Sequence, residues 1–220
     1  MFKKIADNRD EKSLAVQFRR KRFAFFNSLL SRLRRPVSLL DVGGAESYWK
    51  TMGMNGDDQV FITLLNLTKE HVTLPNITST VGDAREIQYE DNSFDVVFSN
   101  SVIEHVGSRA DQMQMANEVR RVGKRYFVQT PNRYFPLEPH FLFPFFQFLP
   151  VMVRVRLLQN FNLGWFPRTP EAAGAREIVE SIRLLGRHEF LALFPGSSLY
   201  EEKVFGMTKS FVAYGGWNSE

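Results

Sequence analysis

The side chains best placed to do chemistry are few. In LLDVGGAESYW, Leu39 to Trp49, an aliphatic run ends in Asp41, Gly43 and Gly44, and a segment able to start a helix follows. Glycines in that place let the backbone approach a ligand closely, and the aspartate can hold the turn or a cationic group. The spacing is not that of a dinucleotide fingerprint, which needs G-x-G-x-x-G; here Ala45, Glu46 and Ser47 follow the glycines. Two histidines could move a proton: His105 in IEHV and His140 in TPNRYFPLEPH, where Glu138 could instead serve to fix the loop through it. With no cysteine in the chain, disulfides, thiolate metal sites and thiol nucleophiles are excluded.

The elements that must position these residues can be read from hydrophobic periodicity. Ser38 to Val42 and Val60 to Leu65 read as short buried strands, and Ser79 to Val81, Phe94 to Ser99 and Tyr126 to Gln129 as three further strands. Glu46 to Met52 is a short helix before the turn-rich MNGDD. Ser108 to Val122 is a longer one, capped by Ser108, closed by Gly123 and apolar on a face made by Ala110, Met113, Ala116, Val119 and Val122. Alternating strands and helices predict a doubly wound, mostly parallel sheet, which binds ligands beyond the carboxyl ends of its strands.

The two ends of the chain differ in texture. Residues 1–12 read as a frayed polar end. From Ser13 to about Leu33 the apolar positions recur at helical spacing between Arg19, Arg20, Lys21, Arg22, Arg32 and Arg34, giving a basic amphipathic helix that Pro36 ends. Its basic face is expected to be solvated, or to meet an anionic membrane or polyanion. Residues 131–170 are rich in proline and phenylalanine, and Phe141, Phe143, Phe145, Phe146 and Phe148 read either as an apolar lid or as packing against the sheet. Pro144 and Pro150 preclude one long helix there. Glu171 to Leu185 is a helix closed by Gly186, and the chain finishes in an antiparallel hairpin about Gly206, Met207 and Thr208. At 220 residues the division is a helical segment over 1–35 and one domain over 36–220. The N-terminus lacks a signal-like apolar core and no apolar run reaches membrane-spanning length, so a cytoplasmic setting is expected.

Over about residues 36–215 this order of strands, motifs and terminal hairpin resembles the class I S-adenosylmethionine-dependent methyltransferases, especially the type 11, small-molecule family. The resemblance implies a Rossmann-like, doubly wound, mostly parallel seven-stranded sheet with a C-terminal antiparallel hairpin. It implies S-adenosylmethionine as cofactor, with LLDVGGAES in place of the family's D-x-G-x-G-x-G turn, so that Asp41, Gly43 and Gly44 hold its amino-acid end. Asn66, with Leu67 beside it, stands where the family offers an acid to the ribose. Asp83 and Ala84 in VGDAREIQYEDNSFDVVFSN take the adenine, and Asn100 and Ser101 in SNSVIEHV line the methionine pocket. His140 and His105 are the catalytic candidates. Methyl transfer from a sulfonium is an in-line displacement with a neutral leaving group, so no metal is called for. The implied acceptor is a small molecule, lipid-, glycan- or secondary-metabolite-related. Nucleic acid is disfavoured, because SNSV replaces an N-P-P-Y-type tetrapeptide after the fourth strand and no RNA-binding module is attached. Ala45, Ser47 and Asn66 depart from the family pattern and keep open an inactive, methyltransferase-like binding protein, while the basic charge of the chain keeps an RNA methyltransferase as the other alternative. The basic helix and the Phe-rich segment are candidate peripheral membrane contacts.

Overall fold

Runs of Val, Leu, Ile and Phe without polar alternation become the middle of a sheet, because only a strand covered on both faces can bury them all. The computed structural model describes residues 13–54, 56 and 59–217. Its strands are Val37–Val42 (β1), Val60–Asn66 (β2), Ile77–Val81 (β3), Val96–Asn100 (β4), Tyr126–Pro131 (β5), Leu137–Glu138 (β6), Phe143–Pro144 (β7), Ser198–Val204 (β8) and Met207–Gly215 (β9). Seven of them form one sheet in the order β3-β2-β1-β4-β5-β9-β8. β1 to β5 are mutually parallel, while β9 runs antiparallel to both β5 and β8. β6 and β7 make a separate small hairpin. The order reverses between β1 and β4, which opens a crevice at their carboxyl ends.

The helices are Leu14–Leu30 (α1), Glu46–Thr51 (α2), Arg109–Val122 (α3), Val151–Asn160 (α4), Ala172–Glu180 (α5) and Arg187–Leu193 (α6). α1 and α2 cover one face, where Phe26 and Trp49 are fully buried against Phe98 and Phe127. The rings of Phe98 and Phe127 stack at 5.6 Å, and Phe26 lies within 5.0 Å of each. α3 and α6 cover the other face through Met115, Ala116, Val119, Phe190 and Phe194. A third cluster joins α4 and α5 to Phe141 and Phe146. No helix among the described residues is long and apolar enough to cross a membrane.

Several expectations are corrected. α1 stops at Leu30, short of the expected Leu33, and its basic face is only partly solvated: Arg22 is buried. α3 has the expected ends, with a capping box between Ser108 and Asp111. Its buried stripe, however, begins at Gln112 and Met115, with Ala110 exposed, because the Gln112 amide donates to the Ile103 and Arg183 carbonyls and so can be buried. α5 stops at Glu180 because the following residues run extended to the sheet, where Arg183 N donates to Glu104 O (2.8 Å) and Leu185 bridges to Asn132. Gly186 therefore closes nothing; it precedes the unforeseen α6, its N–H donated to Glu189. Of the five phenylalanines, Phe141 and Phe146 are core, while Phe145 and Phe148 are exposed. The polar end over 1–12 lies outside the described residues.

Candidate active site

At the end of β1 the chain turns on Gly43, whose φ of +74° suits glycine, and its N–H is donated to Leu65 O at 2.8 Å. A Cβ on Gly44 would overlap the Asp41 carboxylate, so the neighbouring position also requires glycine. Asp41 sits beneath the turn, 1% exposed. Its Oδ2 accepts from Trp49 Nε1 (2.7 Å), and its Oδ1 is buried with no partner among the described residues. Burial pushes its pKa up to about 7, with the indole hydrogen bond partly opposing. A cavity of about 470 Å³ opens beside it, walled by Asp41, Gly43, Ala45, Tyr48, Arg19 and Asn100.

The neighbouring strand ends continue this edge. Asn66 Nδ2 donates to Gly44 O (2.9 Å), which fastens the end of β2 to the glycine turn and leaves the amide oxygen available. Gly82 N donates to Asn66 O (2.9 Å), which brings Asp83 and Ala84 next in line. Asp83 is engaged with Arg85, through hydrogen bonds of 2.8 Å from its backbone and 2.6 to 3.1 Å from its guanidinium. That guanidinium holds the Asp83 carboxyl below the usual range. Leu67 is exposed, and Ala84 packs against the core.

A second cavity of about 450 Å³ lies beyond β4 and β5. Arg19 and Asn100 belong to the walls of both. Phe18, Phe135, Leu142 and Trp165 give it an apolar lining, and His105, His140 and Lys209 add polar groups. Burial pulls the Lys209 ammonium down to about 8, and it lies 4.7 Å over the Phe18 ring. Ser101, at φ +58°, takes a left-handed conformation uncommon for a residue with a side chain; Gln129 holds it through Ser101 N (3.1 Å) and Ser101 Oγ (2.8 Å). The 3-10 turn Ile103–His105 that follows aims Glu104 into the protein and leaves His105 on the open side.

Two buried carboxylates fix His140. Glu138, 2% exposed, accepts backbone N–H from His140 and Phe141 at Oε2, and its Oε1 is 2.7 Å from His140 Nδ1. That carboxylate is an acceptor, so Nδ1 carries the proton and the neutral ring keeps its lone pair on Nε2. His140 Nε2 stands 4.0 Å from Glu104 Oε1. Glu104 is 0% exposed; Thr130 Oγ1 donates to its Oε2 (3.0 Å), while Oε1 has no partner among the described residues. Burial raises Glu104 to about 6, against the pull of His140. Burial lowers His140, but the Glu138 hydrogen bond and both carboxylates outweigh it and leave the pKa raised. The His105 ring meets His140 edge-on at 4.8 Å, and desolvation together with that neighbour lowers it to about 4.

The seven-stranded topology has counterparts among known proteins. Residues 46–126 match the model of a methyltransferase domain. Over that stretch the chain is similar to the type 11 methyltransferase domains. Among solved structures, a SAM dependent methyltransferase from Aquifex aeolicus aligns with a TM-score of 0.52 at 14% identity, covering 88% of this chain and 87% of that one. The PH0226 protein from Pyrococcus horikoshii OT3 aligns with a TM-score of 0.52 at 17% identity, covering 90% and 89%. These two show the fold. Two uncharacterized Mycobacterium tuberculosis proteins, of strains CDC 1551 / Oshkosh and ATCC 25618 / H37Rv, are each 40% identical over 53 residues, 24% of this chain. The chain matches them over only 18% of their length.

Of the expected site residues, Asp41, Gly43, Gly44 and Asn100 gather at the first cavity, and Asn100, Ser101, His105 and His140 at the second. Asn66, Leu67, Asp83 and Ala84 share the strand-end edge without lining either cavity. Sequence reasoning missed Glu104 as a site group, although it adjoins His105. It also missed the contribution of α1, whose Arg19 and Arg22 face the cavities. The Arg22 guanidinium donates to both oxygens of Glu202 at 3.0 Å and to Asn100 Oδ1. No local signal could have found that partner, which lies 180 positions away.

Proposed function

We propose that this protein transfers a methyl group from S-adenosylmethionine to a small-molecule acceptor seated in the second cavity. The observation that carries the reading is the meeting of the two cavities at Arg19 and Asn100, one beside the glycine turn and the other apolar and lined by histidines. The residues suit the cofactor: Asp41 Oδ1, without a partner among the described residues, is the acceptor that an ammonium needs, and the glycine turn admits a ligand against the backbone. Asn66 Oδ1 is the group for a ribose hydroxyl, and Asp83 with Ala84 for the adenine edge. When bound, S-adenosylmethionine supplies an electrophilic methyl group on a sulfonium. The chain contributes position and exclusion of water, through α1 on one side and Phe135, Leu142 and Trp165 on the other. The His140 Nε2 lone pair, aimed by Glu138, assists loss of a proton from the acceptor.

The apolar lining favours an acceptor with a lipidic or aromatic part. Phe145, Phe148 and Met152, each about half exposed or more, give the adjoining segment an apolar surface for such an acceptor or for the membrane that carries it. An RNA acceptor is less favoured, because α1 spends Arg22 on Glu202 instead of offering it to a polyanion. Calorimetric titration with S-adenosylhomocysteine, with NADH as control, tests the reading. Micromolar binding of the first alone is expected, and methylation of amphiphilic acceptors follows in a screen. Binding of neither would mean an inactive relative, with Ala45, Ser47 and Asn66 as the positions to revert.

A further inference from the structure

We propose that Glu104, His105 and His140 form a binding site for one divalent first-row transition-metal cation at the floor of the acceptor cavity, and that the acceptor joins it through a hydroxyl. The proposal rests on the acceptor cavity assigned above, makes His140 Nε2 a metal ligand in place of a proton acceptor, and departs from the sequence-based expectation that no metal is involved. One ligand atom from each of the three residues lies within 4.8 Å of the others. A tetrahedral ion with bonds of about 2.0–2.2 Å would hold its ligands roughly 3.3 Å apart, so closing on a cation takes only rotamer-scale movement.

Three features separate this cluster from a chance grouping. Glu104 Oε1 is wholly buried, lacks a hydrogen-bond partner among the described residues and points at His140 Nε2 from 4.0 Å. A fold seldom leaves a buried carboxylate oxygen unpaired, and a cation supplies what it lacks. The outer groups are also arranged as metal sites arrange them. Glu138 accepts the Nδ1–H hydrogen bond of His140 and so turns the Nε2 lone pair inward, and Thr130 Oγ1 donates to the other Glu104 oxygen. Finally, the donor set is two imidazoles and a carboxylate, which suits zinc and its first-row neighbours better than magnesium or calcium. Three protein ligands leave a coordination position open, as catalytic sites do. His105 and His140 both line the acceptor cavity, so the open position faces it. An acceptor hydroxyl bound there would lose its proton more readily, so oxygen is the atom methylated.

The test is calorimetric titration of the chelator-treated full-length protein with zinc chloride, repeated with cobalt(II) to read the coordination sphere from its visible d–d band. One zinc ion per chain is expected, with an intense cobalt band of four- or five-coordinate type. Glu104→Gln and His105→Gln should each weaken zinc binding at least tenfold, and Glu138→Gln roughly 10- to 100-fold by loosening His140. His105 lies on the open side of the turn, so His105→Gln should keep the wild-type melting temperature and S-adenosylhomocysteine affinity, which guards against a folding artefact. No saturable binding, or zinc binding unchanged in His105→Gln and lost instead in His71→Ala or His188→Ala, would overturn the site. Retained S-adenosylhomocysteine binding in that event would leave the methyltransferase reading intact, whereas zinc binding without it would refute the cofactor and support the metal.

Discussion

Asp41 is the residue whose environment departs furthest from that of an ordinary carboxylate. The native protein holds a proton there up to about pH 7, which an unfolded chain releases near 3.8. The native state thus binds the extra proton, and this group's contribution to stability falls as pH climbs from about 4 to about 7. A ligand ammonium beside Oδ1 favours the carboxylate, so cofactor binding expels the proton. Affinity for S-adenosylhomocysteine should therefore rise between pH 5.5 and 8 and then level off, with proton release measurable by calorimetry in buffers of different ionisation enthalpy. Asp41→Asn should bind weakly and show no such dependence; an equal slope in that variant would remove Asp41 from the pocket. Asn66 allows a second test. In the family resemblance an acid stands in its place, which suggests that Asn66→Asp would tighten binding. The structure reverses that expectation, because Asn66 Nδ2 donates to Gly44 O and a carboxylate there would face a carbonyl. Losing that hydrogen bond should weaken S-adenosylhomocysteine binding roughly three- to tenfold; tighter binding would show that ribose contact outweighs turn support.

At the scale of elements, the central strands were legible because burial on both faces leaves a continuous apolar run, and α3 because Ser108, Asp111 and Gly123 mark its ends locally. What was not legible depended on distant partners. Gln112 reads as a surface residue until the Ile103 and Arg183 carbonyls are placed beside it, and Gly186 reads as a helix stop until α6 begins there. Arg22 is the sharpest case: a basic face reads as solvated, yet the Arg22 and Glu202 side chains are 5% and 1% exposed. Two hydrogen bonds at 3.0 Å join them, and Ser210 Oγ donates to the same carboxylate. This pair docks α1 across β8 and β4. Removing one partner strands the other charge, so Arg22→Ala should cost about 3–5 kcal/mol in chemical denaturation. The double variant Arg22→Met, Glu202→Met replaces both charges by apolar groups and should recover most of that loss. A double variant no better than Arg22→Ala would mean that packing around the helix, and not the stranded charge, sets the cost.

For the whole molecule, the two halves of α1 have different duties. Phe26, Leu29 and Leu30 are buried in the core against the sheet, so the C-terminal half is part of the scaffold. The N-terminal half is a wall: Val16 and Arg19 face the first cavity, and Ala15, Phe18, Arg19 and Arg22 face the second. A ligand in the first cavity therefore touches the same half-helix that walls the second, which gives the two sites a shared wall. Local opening is easiest where buried apolar contacts are fewest, and ligand contact suppresses it. Hydrogen–deuterium exchange should accordingly slow over residues 14–22 when S-adenosylhomocysteine binds. Residues 26–30, already in the core, and α3, on the far face of the sheet, should keep their rates. Protection confined to the glycine turn and α2, with residues 14–22 unchanged, would make α1 a fixed wall and leave Asn100 as the remaining shared side chain through which one cavity senses the other.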